Sequence, residues 1–362
     1  MSFDPLLPPP LLTADLPGIG GVIKQQIDDF EVEEVPAYEA SGQGDFLYLW
    51  IEKRDMGAEY FQRQLARRLG IAAGEVGCAG LKDRRAITRQ MVSVPAHVEE
   101  RLKEVEGEGI RLLGTSRHSN KLRPGHLRGN RFRILVRAAQ PGSQALLVPI
   151  IDRLRSEGMP NFYGAQRFGK SGETVLLGLA LLRGDKGGSV RQTRNPFLRK
   201  LALSAAQSAL FNHSLAGRMA AGLYRRIVPG DVMARWPMGG IFVAEDLAIE
   251  QARFDRRETV HAGPIFGRKT FRAAQDAAAR EDAVLSEAGL SPASFRNFGK
   301  LLQGTRRHNL VYLDDLAHQS EPEGERFTFT LPAGSYATVL MRELMKTDQL
   351  ESEEPSAEAE TL

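Results

Sequence analysis

The feature that most constrains this chain is a change of apolar period, from strand-like to helical and back again. Phe46 to Ile51 is a continuous apolar run bounded by Asp45 and Glu52, the pattern of a buried strand. Further on, Phe132, Ile134 and Val136 alternate with Arg131, Arg133 and Arg137, so one face of a strand is apolar and the other basic. Gly158, Met159 and Pro160 then break the chain, and a domain boundary is expected there. Beyond it the pattern is helical. Thr174 to Arg183 is rich in leucine, Ser204 with Gln207 forms a capping-box pair before a helix running to Gly222, and Ala273 to Leu290 is dense in alanine. After Arg306, Arg307 and His308, alternation returns as Phe327, Phe329 and Leu331 against Arg326, Thr328 and Thr330. The expectation is an α+β chain.

Two helices are expected before the boundary. Ala58 to Leu69 sets Phe61, Leu65 and Leu69 four residues apart and stops at Gly70, while Ser143 to Gly158 carries Leu146, Leu147, Ile150, Ile151 and Leu154 at helical spacing. Val76 to Ala79 is a short apolar run, and a further strand passes through Met91, Val92 and Val94. The intervening Asp83 is therefore expected in a loop mounted on a sheet, where catalytic residues are often held. Lys82, Arg84, Arg85 and Arg89 lie near it in sequence, and opposite charges nearby favour a carboxylate's ionised form. A positioned carboxylate of this kind serves as a nucleophile or a base.

A chain of 362 residues suggests two domains. Its formal charge of +3 conceals an asymmetry, because residues 347–362 hold six acids and no base, leaving +9 on the rest. That tail is expected to be disordered, and the basic body suits a polyanionic partner. Arg111 to Arg137 contributes eight bases and no acid, so phosphate contact is expected from it, with Arg128, Arg131 and Arg133 as candidates. Cys78 is the sole cysteine and the seven histidines are scattered, so neither a disulfide nor a metal site is expected. The proline-broken residues 1–17 do not read as a signal peptide and no apolar run reaches membrane-spanning length, which together imply a cytoplasmic protein with no membrane association.

The segment Ala79-Gly80-Leu81-Lys82-Asp83, followed by Ala86, Thr88 and Gln90, closely resembles the signature of the TruD family of RNA pseudouridine synthases. Other stretches resemble further motifs of that family in the same order. They are Gly21 to Lys24 with Asp28 to Glu34, Lys121 to Phe132, Asn161 to Gly169, Gly263 to Gly267, Gly304 to Arg307, and Leu331 to Thr338. The resemblance implies a pseudouridine synthase catalytic domain, with a mixed, mainly antiparallel sheet and flanking helices, interrupted by a largely helical insertion domain. Residues 1–160 and 311–346 would form the catalytic domain and 161–310 the insertion. It implies isomerisation of a tRNA uridine, at position 13 in the bacterial branch, without a cofactor. Asp83 matches the catalytic aspartate. Phe30, Phe132 and Tyr336 match positions that contact or enclose the nucleotide, Asn130 matches a polar contact, and Lys24 is a candidate cation for Asp83. Tyr336 stands where many relatives carry phenylalanine. The rival reading is an RNA-binding or RNA-folding protein that performs no chemistry; no protein partner can be inferred.

Overall fold

The computed structural model describes residues 3–185, 187 and 195–347, and the chain divides into two compact units. One unit holds Asp15–Arg155 with the residues from Leu313 onward; the other holds the residues up to Ala14 with Ser156–Tyr312. The acidic tail expected beyond Thr347 lies outside the described residues.

Six strands precede the middle segment: β1 (Phe30–Pro36), β2 (Phe46–Arg54), β3 (Gly77–Cys78), β4 (Ile87–Pro95), β5 (Ile110–His118) and β6 (Leu127–Val136). Within that segment lie β7 (Met159–Pro160), β8 (Val232–Arg235), β9 (Ile241–Val243), β10 (Thr259–Ile265), β11 (Thr305–His308) and β12 (Leu310–Val311). The chain then adds β13 (Ala317–Glu321) and β14 (Gly324–Pro332).

In the first unit the strands run in the order β13-β14-β6-β1-β4-β2-β5, with β3 also paired to β4. Every neighbouring pair is antiparallel except β1 with β4. Alternation explains which side is buried. Leu47, Leu49 and Ile51 of β2 and Val92 and Val94 of β4 pack against Phe61, Leu65 and Leu69 of the helix Ala58–Leu69. Each such side chain taken from water contributes about 1.5–3 kcal/mol. The helix stops at Gly70, whose φ of +68° turns the chain so that the N–H of Ile71 donates to the carbonyl of Ala66 at 3.0 Å.

The middle unit is organised by the helix Pro196–Ala220, with Glu173–Arg183 and Gln275–Glu287 sharing its core through Val175, Leu179, Leu203, Leu210, Val284 and Leu285. That long helix starts eight residues before the expected cap at Ser204. The Asn195 side chain accepts hydrogen bonds from the N–H groups of Phe197 and Leu198, and Pro196 is preorganised for a first turn. Ser204 therefore sits inside the helix, where the Arg167 guanidinium donates to its hydroxyl. The unit is expected to be largely helical; it also carries a four-stranded sheet in the order β11-β10-β8-β9. Its core also takes in Phe3, so the opening residues lie with this unit rather than with the rest of segment 1–160.

Candidate active site

The loop between Cys78 and Ile87 joins two strands that pair with each other, so its ends are fixed by the sheet while its middle stands clear. Asp83 occupies that middle, with its side chain 48% exposed. Lys24 Nζ lies 3.7 Å from Asp83 Oδ1, and the lysine itself is buried. Lys24 has a left-handed backbone, φ +57°, which is uncommon for a residue bearing a side chain and costs about 1–3 kcal/mol. Its ammonium also sits 4.4 Å from the centre of the Phe30 ring, so the aromatic face and the carboxylate share one cation.

Three of the four cations near it in sequence find partners elsewhere. Lys82 turns inward and donates to Glu34 Oε2 at 2.8 Å, both side chains being almost wholly buried. Arg85 donates to the carbonyl of Gln25, and Arg89 pairs with Glu52 and Glu31. Burial pushes the Glu34 carboxyl above its ordinary range, against the pull of Lys82.

Lys53, absent from the sequence reading, comes up from beneath. It belongs to the inward face of β2, with Leu47, Leu49 and Ile51, and its Nζ donates to the carbonyl of Asp83 at 2.9 Å. Alternation along β2 was the available signal, because it places a lysine in an otherwise apolar row.

Phe30 and Phe132 project from neighbouring strands and meet edge to face at 6.1 Å, with Phe132 stacked on Phe329 at 5.3 Å. They are only 2% and 6% exposed, so both rings belong to the core, and Phe30 also lies beside Lys24. Asn130 is on the same face of β6 as Phe132, between Glu34 of β1 and Leu331 of β14. Its Oδ1 is buried and has no protein hydrogen-bond partner. Tyr336, partly exposed, stands at the entry to the last helix, Ala337–Met345.

The basic candidates are placed differently. Arg131 and Arg133 emerge on the opposite face of β6 from Asn130 and Phe132. The basic run is free of acids only along the sequence; across the strands, Arg131 meets Glu33, and Arg133 meets Glu31 and Glu321. Arg128 is exposed, and its Nε donates to the carbonyl of Ala37 at 3.2 Å. Among the described residues no cluster of histidine, cysteine and carboxylate side chains is placed to hold a metal ion, and no helix is long and apolar enough to cross a membrane.

Comparison with known proteins adds an independent line. The family model described as tRNA pseudouridine synthase D (TruD) matches residues 9–195 and 192–344. A tRNA pseudouridine synthase D from Anaeromyxobacter sp. (strain Fw109-5) is 44% identical over 338 residues, covering 93% of this chain and 96% of that protein. One from Thermus thermophilus is 43% identical over 357 residues, covering 98% and 97%. The crystal structure of the putative tRNA pseudouridine synthase D from Methanosarcina mazei superposes with a TM-score of 0.76 at 25% identity, over 94% of this chain and 97% of that one. A match of this extent in sequence and in fold, around a loop that presents Asp83 beside a buried lysine, makes the chain a member of the TruD family.

Proposed function

We propose that this protein isomerises uridine to pseudouridine in tRNA, at position 13, with Asp83 as its catalytic carboxylate and no cofactor. The sheet unit is the catalytic domain and the middle unit the insertion. The observation that carries the reading is the disposition of Asp83, an exposed carboxylate on a loop secured from below, with the buried Lys24 ammonium 3.7 Å away. The reaction breaks the N1–C1′ bond, turns the detached base and forms the C5–C1′ bond. N1 gains a proton and C5 loses one, so no electrons enter or leave and no redox partner is required. Asp83 attacks C1′ or assists departure of the base, and Lys24 holds the carboxylate in place.

The target base must leave its stack, at a cost of a few kcal/mol. Phe30, Phe132 and Tyr336 are the aromatic groups proposed to enclose it, and Asn130, with its free buried acceptor, is proposed to contact its polar edge. Arg128, Arg131 and Arg133 are proposed to meet the phosphate backbone, the latter two by exchanging a carboxylate for a phosphate.

The test is carbodiimide-based primer extension on tRNA treated with purified protein. Wild type should produce one stop, at the target uridine, and should do so in EDTA provided the RNA stays folded. Asp83→Asn should fold, bind tRNA with similar or slightly greater affinity, and form no pseudouridine. Product formation by Asp83→Asn near the wild-type rate would falsify the catalytic assignment, and tRNA binding by wild type with no isomerisation would favour a binding protein.

A further inference from the structure

We propose that Lys53 is a positioning residue for Asp83, gripping the main-chain carbonyl of the catalytic residue from inside the sheet so that its carboxylate is held at the surface beside Lys24. The proposal rests on the catalytic reading of Asp83. Lys53 is among the largest fully buried side chains of the described molecule, at 0% exposure. It stands opposite Thr88 in the β2–β4 register, and its Nζ donates to two main-chain carbonyls, those of Met56 and Asp83. An ammonium in such a place costs several kcal/mol to desolvate, whereas a methionine would fill the same space without that cost. What the ammonium adds is a charged donor on one atom of the catalytic residue.

The rest of the loop is tied elsewhere. Lys82 is anchored on Glu34, and the N–H of Asp55 donates to the carbonyl of Ala86 at 3.1 Å. These contacts fix the residues on either side of Asp83. Lys53 alone among the three acts on Asp83 itself, and through Met56 it links the loop to the turn after β2.

Chemistry at C1′ demands a carboxylate placed to within a fraction of an ångström, and small displacements of a reacting group cost orders of magnitude in rate. Burial lowers the Lys53 ammonium to about 8, with the charges of Asp83 and Asp55 and the Cys78 thiol pulling it up and that of Lys82 pushing it down. As pH rises through about 8 the group loses its charge, and its hold on the two carbonyls weakens to that of a neutral amine.

Wild type, Lys53→Met and Asp83→Asn are compared in one pseudouridine assay from pH 7 to 9. Lys53→Met should keep its KM for tRNA within about twofold of wild type and lose about 30-fold or more in kcat, since binding surfaces are untouched and geometry at one atom is not. Wild-type kcat should fall above about pH 8, and the Lys53→Met profile should be flat through that range. A Lys53→Met kcat within threefold of wild type would overturn the proposal, as would a parallel change in KM and kcat or an alkaline fall that persists in the variant. If Lys53→Met does not fold, wild type decides alone, and a profile with no fall between pH 7.5 and 9 overturns the proposal. Activity in Asp83→Asn would instead sink the catalytic reading, so the two failures are separable.

Discussion

In the middle unit Arg218 meets Asp231 through two hydrogen bonds of 2.8 and 2.6 Å, both side chains being buried, and His261, also buried, is satisfied by the carbonyl of Tyr224 and the amide of Asn309. The sheet unit treats its polar groups otherwise. Of six buried side-chain atoms without a protein hydrogen-bond partner among the described residues, five belong to it: Glu34 Oε1, Thr88 Oγ1, Gln90 Oε1, Asn130 Oδ1 and Arg326 Nη1. Four of these residues share the face of Phe30 and Phe132, where Thr88 is opposite Lys53 and Glu34 is opposite Asn130. An unmet buried polar atom costs about 1–3 kcal/mol, so the sheet unit gives up stability on that face, while the middle unit pairs Arg218 with Asp231. Buried polarity is thus paired within one unit and, on the reading of Asp83 proposed above, left open to a substrate in the other.

The most direct way to break that contrast is to unpair the middle unit. Arg218→Met leaves Asp231 buried without its partner, which should cost about 3–5 kcal/mol. Thermal denaturation should show a large fall in Tm, with kcat of the folded fraction within threefold of wild type. A Tm within a degree or two of wild type would mean that the pair is not a stabilising device.

The reverse pattern is expected of Asn130→Ala. Its Oδ1 has no protein partner to lose, so stability should change by less than about 1 kcal/mol while pseudouridine formation drops at least tenfold. Unaltered turnover would remove Asn130 from the site.

His261 sharpens the comparison through pH. Burial lowers its pKa to about 3, with the Arg218 and Arg225 charges adding to the effect and Asp231 opposing it. Its folded-state value thus lies below the unfolded one, so between about 6.5 and about 3 the unfolded chain binds a proton that the folded chain refuses. Stability from this group is complete above pH 6.5 and is lost on acidification, at up to about 1.4 kcal/mol per pH unit. Urea midpoints for wild type and His261→Gln at pH 7, 6 and 5 should converge as pH falls; curves that stay parallel would contradict the buried neutral imidazole.

Much of this arrangement was legible in the sequence because period and capping are local. The strand through Phe46–Ile51, the helix Ala58–Leu69 with its glycine stop, and the placement of Asp83 in a loop between strands all follow from residues within a few positions of one another. What failed were inferences about charge, which acts through space. Sequence neighbours set four cations around Asp83, but the fold sends Lys82 to Glu34 and Arg89 to Glu52, and brings Lys24 and Lys53 from 59 and 30 residues away. The helix expected to open at Ser204 failed for a local reason, since the Asn195 and Pro196 start is the stronger cap.

The same lesson governs the smallest expected effect, on the far face of β6. Two phosphate contacts made by free arginines would flatten the log-log salt dependence of tRNA binding by about 1.4–1.8 units when both are removed. Arg131 and Arg133 are not free, because Glu33, Glu31 and Glu321 already lie against them, and an RNA phosphate that replaces one of these carboxylates releases less counterion than one meeting a bare guanidinium. Both arginines are at least half exposed, so the pairs themselves are worth no more than about 1 kcal/mol and can exchange partners. Arg131→Ala with Arg133→Ala should therefore flatten the slope by less than about one unit, with kcat unchanged. A loss of the full two-contact slope would mean that the cross-strand glutamates do not oppose these arginines in solution, and an unchanged slope would take this face of the sheet off the RNA path.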